Sequence, residues 1–119
     1  MSKANVNPVW VRPRLYIGDN IAVGPGKIDL LRLIGETRSI SAAARAMGMQ
    51  YKKAWLLLDS MNQGFGRPLV VTATGGKGGG GATLTELGEA LIARYAALER
   101  QINATAAAEI AALHALADN

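Results

Sequence analysis

The sequence predicts a mainly α-helical domain that carries one small β-hairpin. Three observations support this. Apolar residues between positions 27 and 63 recur at three-four spacing in three runs divided by short breaks, and a fourth such run follows position 85. Period-two alternation is confined to short stretches flanked by Gly, Pro, Asn and Asp. A chain of 119 residues that is 50% hydrophobic fits a single domain with its own core, residues 1–119.

The N-terminal region, residues 1–24, reads as strand. From Val9 to Ile17 the pattern alternates, with Val9, Val11, Leu15 and Ile17 on one face and Trp10, Arg12, Arg14 and Tyr16 on the other. Pro13 has no N–H, which makes this an edge strand or a bulged one. Gly18-Asp19-Asn20 is turn chemistry, and Ile21-Ala22-Val23 is a short return strand. After Gly24-Pro25-Gly26, a helix over Lys27–Thr37 gathers Ile28, Leu31 and Ile34, with Leu30 and Leu33 widening the face. Ser41 can cap a short second helix, Ala42–Met47. Gly48 breaks it, and a third helix runs from about Gln50 to Gln63 with Ala54, Leu57, Leu58 and Met61 inward.

Gly64 to Pro68 closes the third helix. Leu69–Ala73 and Ala82–Leu84 read as strands of one hairpin. Thr85 is a good cap for a long last helix, 85–117, whose apolar residues Leu87, Leu91, Tyr95, Leu98 and Ile102 share a seam. At ~1.5 Å per residue this helix is about 48 Å long, more than so small a body can cover. The seam therefore predicts a partner helix from a second copy of the chain, with Leu91, Tyr95, Leu98 and Ile102 as dimer contacts, the alternative being a helix that packs on its own domain and frays after about Asn103.

The second and third helices have the spacing of a helix-turn-helix. Ala44 is small where the helices cross, and Gly48 follows four residues later at the turn, where a positive φ disfavours a Cβ. Ala54 and Leu57 anchor the third helix, and Met47 and Met49 flank the glycine as core contacts. The start of the third helix then carries Gln50, Tyr51, Lys52 and Lys53, long hydrogen-bonding or cationic side chains where a recognition helix reaches base edges. Trp55, one turn beyond Tyr51, can pack on the core or touch the sugar-phosphate backbone, and the core is the preferred reading. The fold class is thus a winged helix-turn-helix, mainly α with a small β wing, ending in a long dimerisation helix.

The hairpin tip, Gly75-Gly76-Lys77-Gly78-Gly79-Gly80-Gly81, holds six glycines in seven residues. It is not a Walker loop, because Gly78 follows Lys77 where Ser or Thr is required. No strand–helix–strand unit follows to make a dinucleotide site. Bare backbone at a wing tip can donate N–H groups to a phosphate backbone, with Lys77 adding charge.

Charge is uneven. Residues 1–80 hold 11 Lys and Arg against 4 Asp and Glu, while residues 81–119 hold 2 against 5. A basic body with a mildly acidic last segment points to a polyanion partner. There is no cysteine, and the lone histidine, His114, leaves little for zinc or a Ser-His-Asp site, so neither a metal nor a cofactor is expected. Carboxylates are few and scattered, which argues against an enzyme. The sequence shows no membrane span and no secretory leader, and a cytoplasmic protein is expected.

Two blocks carry a resemblance. One runs from Ser39-Ile40-Ser41 through Tyr51-Lys52-Lys53-Ala54-Trp55 to Met61-Asn62-Gln63. The other is Ala73-Thr74-Gly75-Gly76-Lys77-Gly78-Gly79-Gly80-Gly81-Ala82 with Leu84-Thr85 and Gly88. Over roughly Gly26 to Leu98 the chain resembles the winged helix-turn-helix domain of the molybdenum-dependent transcriptional regulators, the ModE family, itself similar to the LysR-type DNA-binding domain. The resemblance implies a dimeric bacterial DNA-binding protein with the third helix in the groove, the wing on the backbone and the last helix in the dimer contact. The family's molybdate-binding modules are not expected within these 119 residues.

The expected function is a sequence-specific transcriptional regulator that binds double-stranded DNA as a homodimer on an inverted repeat. Ser39, Ser41, Gln50, Tyr51, Lys52, Lys53, Gly76, Lys77 and Gly78 are the expected DNA-binding residues. The alternative is a stand-alone winged domain that pairs with a full-length homologous regulator and modulates it.

Overall fold

The computed structural model describes residues 10–73 and 81–117. In chain order the elements are β1 (Leu15–Ile17), β2 (Ile21–Val23), α1 (Pro25–Thr37), α2 (Ile40–Ala46), α3 (Tyr51–Phe65), β3 (Val70–Ala73), β4 (Gly81–Leu84), α4 (Glu86–Thr105) and α5 (Ala107–Ala117). Strands β1 and β2 form one antiparallel hairpin, and β3 and β4 form another.

Helix α1 starts at Pro25, where a missing N–H leaves no helical bond unmade. It buries Ile28, Leu30, Leu31 and Ile34 and ends at Arg38, which adopts a left-handed φ of 59°. The Arg38 N–H donates to the Ile34 carbonyl at 2.8 Å, and its own carbonyl accepts from Ala82 N–H at 3.0 Å. That second bond ties the α1–α2 junction to the wing.

The cap of α2 corrects the sequence reading. Ser39, not Ser41, is the N-cap: it is extended, and its Oγ accepts from Ala42 N–H at 3.0 Å. The helix therefore begins at Ile40, and Ser41 lies inside it, its Oγ accepting from Arg45 Nη1 at 3.3 Å.

Helices α1, α2 and α3 enclose the main core. Leu31 and Ile34 meet Ala43, Ala44, Ala54, Leu58 and Met61, and Leu69, Val70 and Ala82 of the wing close the cluster. Ala44 is 2% exposed, as its small size at the helix crossing requires. Leu57, Met47 and Met49 pack at the edge of this core. In the wing, Val70 pairs with Leu84 and Ala73 with Gly81. Gly35 on α1 faces Leu84, whose Cδ1 lies 2.6 Å from where a Cβ would stand.

Thr85 caps α4 as the sequence implies, accepting from Gly88 N–H at 3.1 Å while donating to Pro68 O at 2.9 Å. Gly88 sits so close to the Leu69 carbonyl that a Cβ there would collide with backbone.

The N-terminal region differs from the expected strand. Only Leu15–Ile17 pairs, and Val9 lies outside the described residues. The preceding residues are bound to helices instead. Asn103 Oδ1 accepts from Val11 N–H at 3.0 Å, and its Nδ2 donates to Val11 O at 2.8 Å. Tyr95 Oη donates to Pro13 O at 2.6 Å. Arg12 makes a bidentate pair with Asp29 at 2.8 and 3.0 Å, and its Nε donates to Glu99 at 2.8 Å. Tyr95, Glu99 and Asn103 lie four apart on one face of α4, so the segment 11–13 is strapped along that helix. Burial raises the Tyr95 phenol above its ordinary value, with Glu99 adding to the effect, so the hydroxyl stays protonated to donate.

Two consequences follow for the last helix. First, Tyr95 is 1% exposed and packs within its own chain against Val23 and Ile28, so it is not a free dimer contact. Leu91, Leu98 and Ile102 remain half-buried. Second, the expected helix over 85–117 is interrupted at Ala106 into α4 and α5. Asn103 Nδ2 also donates to the Glu99 carbonyl one turn back at 2.8 Å, a side-chain bond that competes with the helical ladder just before the break.

Two predictions follow. Gly88→Ala is expected to cost about 1–3 kcal/mol, because backbone must move to admit the methyl. Gly26→Ala, in open space within α1, is expected to be neutral or stabilising by up to about 1 kcal/mol. Urea denaturation of the pair checks the contrast, and equal effects would contradict the crowding at Leu69.

The second concerns acid. The Arg12 guanidinium holds the Asp29 carboxyl below its ordinary value of 3.8, so the folded state binds fewer protons there than the unfolded chain. This stabilisation is complete above the ordinary value and is lost as pH falls through the lower, folded one. Asp29→Asn is therefore expected to lower Tm at pH 7 and to flatten the loss of Tm below about pH 5. Parallel acid limbs for both proteins would exclude it.

Candidate nucleic-acid interface

The interface is set by the turn between α2 and α3. Gly48 adopts φ 69°. Its N–H donates to Arg45 O at 3.0 Å, while the Ala44 carbonyl accepts from both Met47 and Met49 N–H groups at 3.1 and 3.0 Å. Three donors are satisfied at the turn, so the chain re-enters helix at once. Gln50 is extended and serves as N-cap, its carbonyl accepting from Ala54 N–H at 3.1 Å.

With Ala54, Leu58 and Met61 buried, helical periodicity leaves Tyr51, Lys52 and Lys53 exposed at the leading end of α3. Gln50 is also exposed. The described salt bridges all lie elsewhere, in the Arg12–Asp29–Glu99–Arg32 group. Neither Lys52 nor Lys53 is in an ion pair among the described residues, so both charges face solvent.

Beside this end lies a groove of about 280 Å³. Ser39, Ile40 and Ser41 form one wall, Tyr51 and Trp55 another, and Thr72, Ala73, Gly81 and Ala82 at the wing base a third. The structure thus brings Ser39, Ser41 and Tyr51 together from the expected set, with Gln50, Lys52 and Lys53 next to them on the exposed turn. Gly76, Lys77 and Gly78 lie outside the described residues.

Trp55 corrects the sequence reading. It is 36% exposed and lines the groove rather than the core. Its Nε1–H donates to Tyr51 Oη, and the two rings meet edge-on with centroids 6.4 Å apart. The signal was present, since residues four apart on a helix share a face, but an aromatic side chain within an apolar run reads by default as core. Thr72 and Ala73 carried no signal, because only the folded hairpin brings the wing base to the helix.

Among the described residues no group of His, Asp and Glu is arranged to hold a metal ion, and no described helix is long and apolar enough to cross a membrane.

Three packed helices, the third with a polar and cationic leading turn, followed by a β-hairpin, define a winged helix-turn-helix domain. Residues 26–89, just over half of the chain, match the bacterial regulatory helix-turn-helix protein, lysR family, and the chain belongs to that family. It is similar to the molybdenum-pterin-binding protein MopB of Rhodobacter capsulatus, 52% identical over 77 residues, which are 65% of this chain and 28% of that protein. It is also similar to the DNA-binding transcriptional dual regulator ModE of Escherichia coli K12, 44% identical over 81 residues, 68% of this chain and 31% of that one. MopA of Rhodobacter capsulatus is 46% identical over 77 residues, covering 65% and 29%. The helix-turn-helix domain is ModE-like, and the chain spans less than a third of the length of these curated relatives.

The placement of Trp55 gives a stability prediction. Trp55→Ala is expected to cost no more than about 1 kcal/mol, as for an exposed site, whereas Leu58→Ala is expected to cost about 2–5 kcal/mol. Chemical denaturation distinguishes them, and a comparable loss in both would return Trp55 to the core.

Proposed function

We propose that the chain is the DNA-binding part of a bacterial transcriptional regulator, working on chromosomal DNA in the cytoplasm. The leading end of α3 enters a major groove, and the wing runs along the flanking backbone. The observation that carries this reading is the outward turn of α3: Gln50, Tyr51, Lys52 and Lys53 are all exposed, and the two lysines lack ion-pair partners among the described residues. An unpaired cationic pair on a convex helix end is poor chemistry for a small-molecule site and good chemistry for a polyanionic groove. The similarity to a protein named a DNA-binding transcriptional dual regulator supports the same reading.

Ser39 and Ser41 flank the recognition helix at phosphate positions, and Gly76, Lys77 and Gly78 extend the contact from the wing. The chain acts as a homodimer through the half-buried Leu91, Leu98 and Ile102 of α4, placing two recognition helices ~34 Å apart on an inverted repeat.

Selection of bound fragments from genomic DNA at two salt concentrations tests the reading. Lys52→Ala and Lys53→Ala are each expected to weaken binding and to reduce the slope of log affinity against log salt by about 1. Unchanged affinity in both variants, or no binding of duplex DNA at low salt, overturns it.

A further inference from the structure

Tyr51 has a hydroxyl whose hydrogen-bond polarity is fixed by its neighbour. Indole nitrogen has no lone pair to accept with, so in the Trp55–Tyr51 bond the tryptophan donates and the tyrosine oxygen accepts. The phenolic hydrogen is thereby left to donate elsewhere, and it has no acceptor among the described residues. Tyr51 is 52% exposed, and both rings line the groove at the wing base.

The rest of that groove is chemically narrow. Among the described residues its side-chain hydroxyls are those of Ser39, Ser41, Tyr51 and Thr72, and no described lysine, arginine or carboxylate lines it. Neutral hydroxyl donors around an open groove suit an anionic oxygen held by hydrogen bonds rather than by ion pairing. The position matters too. The groove lies between the start of α2 and the wing, beside the cationic turn rather than at its apex. Hydroxyl contacts flanking a recognition helix go to the sugar-phosphate backbone and set register.

Resting on the DNA-binding reading above, we infer that this groove seats one phosphodiester of the bound duplex, with Tyr51 donating its hydroxyl proton to a phosphate oxygen. Trp55 acts as a positioning residue that turns the Tyr51 hydroxyl toward the phosphate. This assigns Tyr51 to the backbone, where the sequence alone placed it among base-reading side chains. Since the contact is neutral on the protein side, it displaces no counterion of its own through an added cation, and its contribution is insensitive to salt.

The experiment measures binding of the full chain to several mixed-sequence duplexes of different composition, across a range of salt. Tyr51→Phe is expected to lower affinity about 10–100-fold, the worth of one hydrogen bond to a charged acceptor. The loss is equal on every sequence and leaves the salt slope unchanged. Trp55→Phe keeps a ring but removes the donor, and is expected to give a similar loss, with no further loss when added to Tyr51→Phe. Circular dichroism and Tm confirm that each variant is folded.

A loss confined to particular sequences makes Tyr51 a base contact and overturns the inference. So does unchanged affinity in Tyr51→Phe. Additive losses in the double variant, or none in Trp55→Phe, overturn the positioning role. Lys52→Ala run in parallel separates the two readings. If it weakens binding and flattens the salt slope while Tyr51→Phe does nothing, the phosphate seat fails alone. If the unaltered chain binds no duplex at low salt, the DNA-binding reading fails and takes the seat with it.

Discussion

The left-handed turn at Gly48 is the constraint on which the interface rests. A helix that ends at Ala46 must restart at Tyr51 within four residues, and it must do so with Ala54 and Leu58 already pointing into the core. A backbone with φ 69° folds the chain that sharply, and glycine adopts that geometry without the cost a Cβ carries there. The turn is also stitched: one carbonyl, Ala44, takes two N–H groups. From this geometry the outward direction of residues 51–53 follows by helical periodicity alone. Their exposure is a consequence of how Ala54, Leu58 and Met61 are buried, not an independent feature of the surface.

A second constraint acts at the opposite side of the molecule. The face of α4 that carries Tyr95, Glu99 and Asn103 is occupied by the chain's own residues 11–13. Arg12 completes the closure by bridging α4 to Asp29 on α1. Each of these contacts spans more than eighty residues of sequence, apart from the Arg12–Asp29 pair. Such a strap fixes where α4 lies against α1, and through Thr85 and Gly88 it fixes the wing. The wing is therefore braced from two directions, by the Arg38 carbonyl at β4 and by the Leu69–Gly88 contact at the head of α4.

What the sequence disclosed and what it withheld divide along the same line. Elements whose signal is local were legible. Ala44, Gly48 and Ala54 are small for reasons of close approach, and Thr85 caps because its hydroxyl reaches the next turn. The three-helix core and the wing hairpin follow from such cues. Errors arose where distant groups decide. Val9 to Ile17 alternates like a strand, yet Asn103 and Tyr95 take the backbone groups of Val11 and Pro13 that a sheet partner would need. Tyr95 fits an apolar seam by spacing, and nothing local reveals that its hydroxyl is already bonded. Ser41 reads as the cap because it directly precedes an alanine run, and the extended backbone at Ser39, whose Oγ accepts from Ala42 N–H, moves the cap two residues earlier. Trp55 is the converse case: its apolar character favours burial, but its N–H has a surface partner one turn away.

The interface proposed above combines two kinds of contact with different physics. In that proposal Lys52 and Lys53 act through charge, a long-range and salt-dependent attraction that tolerates movement of flexible side chains. The hydroxyls of Ser39, Ser41, Thr72 and Tyr51 act only at hydrogen-bond distance and only with the right direction. They stand on three different elements, α2, α3 and the wing base, so they form one groove only while those elements hold their mutual positions. The bracing described above therefore bears more heavily on the neutral contacts than on the cationic ones. A domain that loosened at Gly88 or at the Arg38–Ala82 bond would still attract a polyanion, because its charge would be unchanged. It would lose the fixed spacing between α3 and the wing, and with it the means of holding a duplex in a single register.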